Sequence, residues 1–184
     1  KELQEIKDLA KQYNSKLIED FPRLVSDKNI KKVPSAPING GNLFAGKFYP
    51  DSDKMFLSLN PGHSPEKYET FDVDEGECDW YWDWQDKDRY PFIDTANEFF
   101  ASDKKLHTYM KKSKFTSAFI IPWRTDNIEI LEGLTKVKDV HGGVRNFHDV
   151  VKDYSKQIIN QLIQYYQPKT IIVSGKKTLE YLAD

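Results

Sequence analysis

The chain has 184 residues, with 27 basic and 29 acidic side chains and a formal net charge of -2. At 39% hydrophobic and 30% charged, its composition fits one globular domain with a real core rather than a disordered chain. No run approaches the ~18 apolar residues of a spanning helix, a lone Cys78 excludes an internal disulfide, a zinc finger or an iron–sulfur cluster, and a near-neutral balance excludes nucleic-acid binding by bulk charge alone.

In chain order, residues 1–20 read as an amphipathic helix, with Leu3, Ile6, Leu9, Tyr13, Leu17 and Ile18 at helical spacing, ended at Phe21-Pro22. Residues 27–42 read as loop, and Leu43 to Tyr49 as an edge strand. Lys54 to Leu59 is an apolar run that stops at Asn60-Pro61-Gly62, the pattern of a buried strand emptying into a turn. Asp94 and Thr95 offer helix caps, Glu98 completes a Thr-x-x-Glu box, and a helix is expected from there to about Lys112. Phe115 to Ile121 reads as a second buried strand, ended by Pro122. Residues 123–143 read as mixed loop. Val144 to Tyr166 carries the clearest helical stripe, from Phe147 through Val150, Val151, Tyr154, Ile158 and Leu162. Thr170 to Ser174 is a third buried strand, and Gly175 turns it into a final helix from Lys176.

Strands alternating with long helices predict an α/β fold with a short, mainly parallel central sheet in a single domain, residues 1–184. In such sheets ligands bind at the carboxyl ends of the strands, so the loops after Leu59, Ile121 and Ser174 are the candidate site.

The charge is uneven. Between Glu66 and Arg89 there are ten acids and three bases, a net -7, which leaves +5 for the rest. This acidic insertion, at about 66–89, also holds Trp80, Tyr81, Trp82 and Trp84. It reads either as a solvated irregular loop or as a lid or partner-binding loop.

No phosphate loop, GxGxxG, GxSxG or HExxH motif is present, and His63, His107, His141 and His148 are too scattered for a metal site. No cofactor and no metal are called for. His107 and His148 fall within predicted helices, as surface or structural residues. His63 and His141 fall in loops at the predicted active edge. No signal peptide is visible, although the chain starts at Lys1, and the single cysteine suits a reducing compartment. The expected location is cytoplasmic, with no membrane association.

Three segments carry a resemblance: Ser58-Leu59-Asn60-Pro61-Gly62 after a buried strand, Tyr90-Pro91-Phe92 followed by Ala96-Asn97-Glu98-Phe99-Phe100, and Lys169 to Leu179 as strand, Gly and helix. Together they resemble the uracil-DNA glycosylase superfamily, nearest its mismatch-specific uracil/thymine branch and its single-strand-selective branch, over roughly Met55 to Leu182. The resemblance implies a three-layer α/β/α sandwich and hydrolysis of the N-glycosidic bond of uracil or a related base in DNA. It implies that Asn60 is the catalytic residue, positioning a water, and that Phe92 stacks on the extruded base. Pro61, Gly62 and His63 would line the base pocket. Arg124, Ser174, Gly175 and Lys176 are candidate contacts to DNA or ligand. An amide suits the Asn60 role because it orients a water without a pKa to tune. Extruding a base costs a few kcal/mol, of which stacking returns ~1–3 kcal/mol.

The sequence departs from that pattern in three places. Ser58 stands where the family has its first Gly. Ala118 stands where the middle strand commonly carries an Asn that reads the base. The chain stops at Asp184, before the family's last strand and His-Pro-Ser-like loop, so the domain is expected to lack them. Ten carboxylates between the two motifs that face DNA would also repel phosphates. The alternative reading is a catalytically diverged domain of the same fold that binds a nucleotide, small ligand or protein partner through the acidic, Trp-rich loop. An unrelated flavodoxin-like α/β domain is a third.

Overall fold

A computed structural model describes residues 2–21, 23–24, 38, 40–59, 61, 70–75, 102–125, 137–138 and 146–183, with backbone alone at 23–24, 106–107, 110–111 and 137–138. In chain order the elements are α1 (Leu3–Asp20), β1 (Arg23–Leu24), β2 (Gly41–Asn42), β3 (Lys54–Ser58), β4 (Phe71–Asp72), α2 (Lys104–Lys112), β5 (Thr116–Phe119), β6 (Val137–Lys138), α3 (Phe147–Tyr166), β7 (Thr170–Val173) and α4 (Lys176–Ala183). The fold is mixed α/β.

Its centre is a three-stranded parallel sheet in the order β5-β3-β7. Burial follows that order. Met55, Phe56 and Leu57 of β3 are buried in succession, because a central strand is covered on both faces. At the β7 edge Thr170 is exposed and Ile171, Ile172 and Val173 are only half-buried. Opposite Met55 stands Thr116 in β5 and Ile171 in β7; opposite Leu57 stand Ala118 and Val173.

The helices form where the sequence periodicity places them. In α1, Ile6, Ala10, Tyr13 and Leu17 recur at steps of four, three and four and are buried together. In α3 the Asn146 side chain accepts the His148 N–H at 3.0 Å as an N-cap, and Gln167 ends the helix in the left-handed region with its N–H on the Ile163 carbonyl at 2.8 Å. The two helices pack on each other through Tyr13 and Tyr154, stacked 4.0 Å apart, and through Phe21 set edge-on to Phe147. Their buried residues join Met55, Leu57, Ala118 and Ile120 of the sheet in one core. Each large aliphatic side chain there contributes roughly 1.5–3 kcal/mol by burial.

Four expectations need correction. Residues 43–49 are not a strand. The extended piece lies one step earlier, at Gly41–Asn42, with a single further bridge between Phe44 and Ala118. Residues 41–42, read as loop, therefore belong to it. The acidic insertion is not wholly irregular, since Phe71–Asp72 pairs parallel with Gly41–Asn42. The stretch 123–143, read as loop, contains Val137–Lys138, paired antiparallel with Arg23–Leu24. Finally, no helix runs continuously to Lys112 from the expected caps. Ser102 and Asp103 are not helical, and the Asp103 carboxylate accepts the Lys105 N–H at 2.8 Å at the start of α2. The expected caps Asp94 and Thr95 lie outside the described residues.

Backbone hydrogen bonds stitch the small β2-β4 sheet to the central one. Residues 40–45 run antiparallel along the outer edge of β5 and its continuation. The Ala45 N–H donates to Ser117, Phe119 to Leu43, Asn42 to Pro122 and Arg124 to Gly40, at 2.8–3.2 Å. An edge that would otherwise present unpaired groups is thereby covered.

Candidate functional site

Parallel strands β3, β5 and β7 all end on one side, and their carboxyl edge is fixed beyond the strands themselves. The Ile120 N–H donates to the Ser58 carbonyl at 2.9 Å, Ile121 to Leu59 at 2.8 Å, and Ser174 to Leu57 at 2.8 Å. The backbone that leads into the Asn60 turn is thus held on both sides. Ser58 is half-buried as the last residue of β3, and Pro61 is buried. Asn60, Gly62, His63 and Phe92 lie outside the described residues, as do His141, Cys78 and the tryptophans of the acidic insertion.

The candidate contacts in the other two loops are described. Ser174 is half-buried, and its carbonyl accepts the Thr178 hydroxyl. Gly175 has φ 88, a left-handed turn that a residue with a Cβ enters at a cost, and it lets α4 start directly after β7. Lys176 is exposed, paired with Glu180 one turn on at 3.5 Å. These residues share the carboxyl edge with Leu59, and their polar contacts include the Thr178 hydroxyl on the Ser174 carbonyl and the Lys176–Glu180 pair.

Arg124 is the polar residue that the fold builds most firmly. It is half-buried, its N–H is tied to Gly40 at 3.0 Å, and its guanidinium donates to Asn42 Oδ1. Arg124, Asn42, Gly41, Thr70 and Asp72 line a recess of about 230 Å³. Asn42 and Asp72 face each other in the β2-β4 pairing, so two strands deliver them. Gly41 is required there: a Cβ on it would sit 2.0 Å from the Pro122 carbonyl oxygen. Beneath the recess Trp123 is fully buried and stacked with Phe71 at 6.1 Å.

The recess was not legible from the sequence. Asn42 and Arg124 are 82 positions apart, and Gly40-Gly41-Asn42 reads as a loop. The signal was the glycine pair itself, which permits close backbone approach. Ala118, where the resemblance expects an Asn that reads the base, is fully buried opposite Leu57 and bridged to Phe44.

The acidic insertion is anchored beside this edge. Lys7 of α1, with its side chain only 10% exposed, lies 3.1 Å from both Asp74 and Glu75. Burial pulls the Lys7 pKa down, but hydrogen bonds to the two carboxylates outweigh it and leave it raised. His148 is half-buried in α3, edge-on to Tyr181; the side chain of His107, in α2, lies outside the description. Among the described residues no group of three or more His, Cys, Asp or Glu could hold a metal ion, and no helix is long and apolar enough to cross a membrane.

No protein-family profile, no curated protein and no solved structure matches this chain.

Proposed function

We propose that the chain is a uracil-DNA glycosylase-like hydrolase, built as a three-layer α/β/α sandwich, that releases uracil or a related base from DNA by hydrolysing the N-glycosidic bond. The observation that carries this reading is where the Ser58-to-Gly62 motif emerges. It leaves the central strand of a parallel sheet at the carboxyl edge, with its first two residues clamped by Ile120 and Ile121. That edge is where open α/β sheets bind ligands. In this mechanism Asn60 orients the attacking water, and Phe92 stacks on the base once it has left the helix. Pro61, Gly62 and His63 wall the pocket, while Arg124, Ser174, Gly175 and Lys176 contact the strand that carries the base. Base release from uracil-containing oligonucleotides, single- and double-stranded, tests it. Wild type should release free uracil, and Asn60→Ala should slow release at least ~100-fold, the scale of a misplaced reactant. Wild-type rates in Asn60→Ala would remove Asn60 from the mechanism. No release of any damaged base would end the enzyme reading.

One observation favours a second reading, in which the same fold binds a nucleotide, a small ligand or a protein partner without excision. The described part of the acidic insertion lies at this edge: Asp72 lines the Arg124 recess, so negative charge sits where a phosphate backbone would dock. Binding of a free nucleotide, with no salt-dependent affinity for DNA, would decide for it.

A further inference from the structure

One face of α2 is cationic, and neither reading of the carboxyl edge uses it. Lys104, Lys105, Thr108, Tyr109 and Lys112 fall at positions i, i+1, i+4, i+5 and i+8, which is one side of a helix. With Ser113 they line an open groove of about 570 Å³. The three lysines are spread over about 12 Å of helix at ~1.5 Å per residue. All three are exposed, and among the described residues no carboxylate lies within ion-pair distance of them. Tyr109 is 42% exposed in their midst. Its ring is fixed edge-on to Phe115 at 6.4 Å, with the Lys54 ammonium 5.8 Å from its centre. The Thr108 hydroxyl donates to the Lys104 carbonyl at 2.8 Å, so the middle of the face is not competing for a ligand.

The Lys112 end of the surface lies away from the carboxyl edge. Lys112 and Ser113 also line a second recess of about 320 Å³ with Asp53 and Lys54, at the amino end of β3. β3 is about 16 Å long at ~3.3 Å per residue. A ligand at the Lys112 end of the groove is therefore separated from the Asn60 turn by the length of the strand.

We propose that this lysine–tyrosine face binds single-stranded nucleic acid, the lysines taking backbone phosphates and Tyr109 stacking a base. Charge complementarity requires a polyanion. An ordered, exposed ring set among cations selects a polyanion with flat π-faces, because stacking works on any base and is lost on an acidic peptide. The inference is independent of base excision, since it uses no residue of the carboxyl edge.

Fluorescence anisotropy with a labelled oligothymidylate, which contains no uracil, tests it. Wild type should bind with log affinity falling linearly in log salt. Lys104→Glu/Lys105→Glu/Lys112→Glu should lose more than tenfold in affinity, and the magnitude of its salt slope should fall by about 2, at ~0.7 per phosphate. Tyr109→Ala should lose about 5- to 150-fold with the slope unchanged, and Tyr109→Phe should bind as wild type. Circular dichroism verifies that each variant is folded, and all the substituted side chains are exposed. Wild-type binding by both the triple variant and Tyr109→Ala overturns the proposal. So does binding that is lost in Asn60→Ala instead, which would put the strand on the carboxyl edge. A polyglutamate peptide that displaces the oligonucleotide equally well from wild type and Tyr109→Ala also overturns it.

Discussion

Two glycines separate two causes of backbone intolerance, and Gly41→Ala is the sharper case. A methyl group added at Gly41 would meet the Pro122 carbonyl oxygen at 2.0 Å and the Trp123 Cα at 2.9 Å. An ordinary C···O contact is ~3.3–3.6 Å, so the two chain segments must part by roughly 1.3 Å or more. That movement breaks the 2.8 Å bond from the Asn42 N–H to this same oxygen and strains the 3.0 Å bond from Arg124 to Gly40. Two buried backbone hydrogen bonds at ~0.5–1.5 kcal/mol each, with ~1–3 kcal/mol of overpacking, give a cost of about 3 kcal/mol. For a chain of this size, ~2–4 °C per kcal/mol converts that to a fall in Tm of about 6–12 °C. Gly175→Ala is the internal control. Its φ of +88 is unfavourable for alanine, but the nearest atom to the new Cβ is the Thr178 hydroxyl at 3.9 Å. Only the conformational cost of ~1 kcal/mol remains, or about 2–4 °C. Thermal unfolding followed by circular dichroism measures both. Equal losses in the two variants, or a Gly41→Ala melt within 2 °C of wild type on this ~2–4 °C scale, would refute the close passage of residues 40–45 against 117–124.

Two further predictions concern the anchoring of the helices. Lys7→Met removes the clamp on Asp74 and Glu75; because the Asp74 side chain is 77% exposed and that of Glu75 33%, neither carboxylate is stranded in the core, and the cost should be about 1 kcal/mol. A group whose pKa is raised on folding stabilises fully below its unfolded value of ~10.4 and loses that contribution as pH rises through the folded value. The stability gap between wild type and Lys7→Met should therefore stay level from about pH 6 to 9 and narrow only above about pH 10.5; a gap that closes near neutrality contradicts the clamp. Asn146→Ala removes the N-cap of α3 and should lower stability by about 1 kcal/mol, seen as a lower urea midpoint with an unchanged slope.

The elements that could be read from sequence are those whose stability is local or whose apolar pattern is periodic. The stripe from Phe147 to Leu162 repeats every 3.6 residues, so α3 shows itself. β3, β5 and β7 are apolar runs cut off by Asn-Pro-Gly, Pro122 and Gly175, and their parallel pairing follows from alternation with helices. Residues 40–42 escaped because nothing in Gly-Gly-Asn favours a strand. Its order comes from carbonyls and N–H groups of residues 117–124, some 80 positions away, and from the missing side chain at Gly41. β4 escaped for a related reason. Phe71 and Asp72 sit inside an acid-rich run whose composition reads as solvated loop, while the pairing that orders them is long-range. The Asn42–Arg124 pair depends on both missed strands, so it could not be foreseen, whereas the carboxyl edge follows from the strand order alone.

The anchoring of residues 70–75 also changes what the acidic insertion means for the charge at the carboxyl edge. A count of -7 over residues 66–89 treats every carboxylate as facing outward. In the described part, Asp74 and Glu75 are both turned onto Lys7, 3.1 Å from its ammonium. Asp72 stands in the recess with Arg124, and its Oδ1 accepts the Asp74 N–H at 2.9 Å. Two of the three acids thus share one cation, well within the ~8 Å over which physiological salt screens charge. At a distance beyond that, Lys7, Asp74 and Glu75 together act as about one negative charge, not two. The third acid, Asp72, is exposed and lines the recess together with Arg124, whose half-buried guanidinium is held by Asn42. Residues 70–75 therefore present less outward negative charge than their count of carboxylates suggests, because two of their three acids are paired with Lys7 and the third shares its recess with a guanidinium.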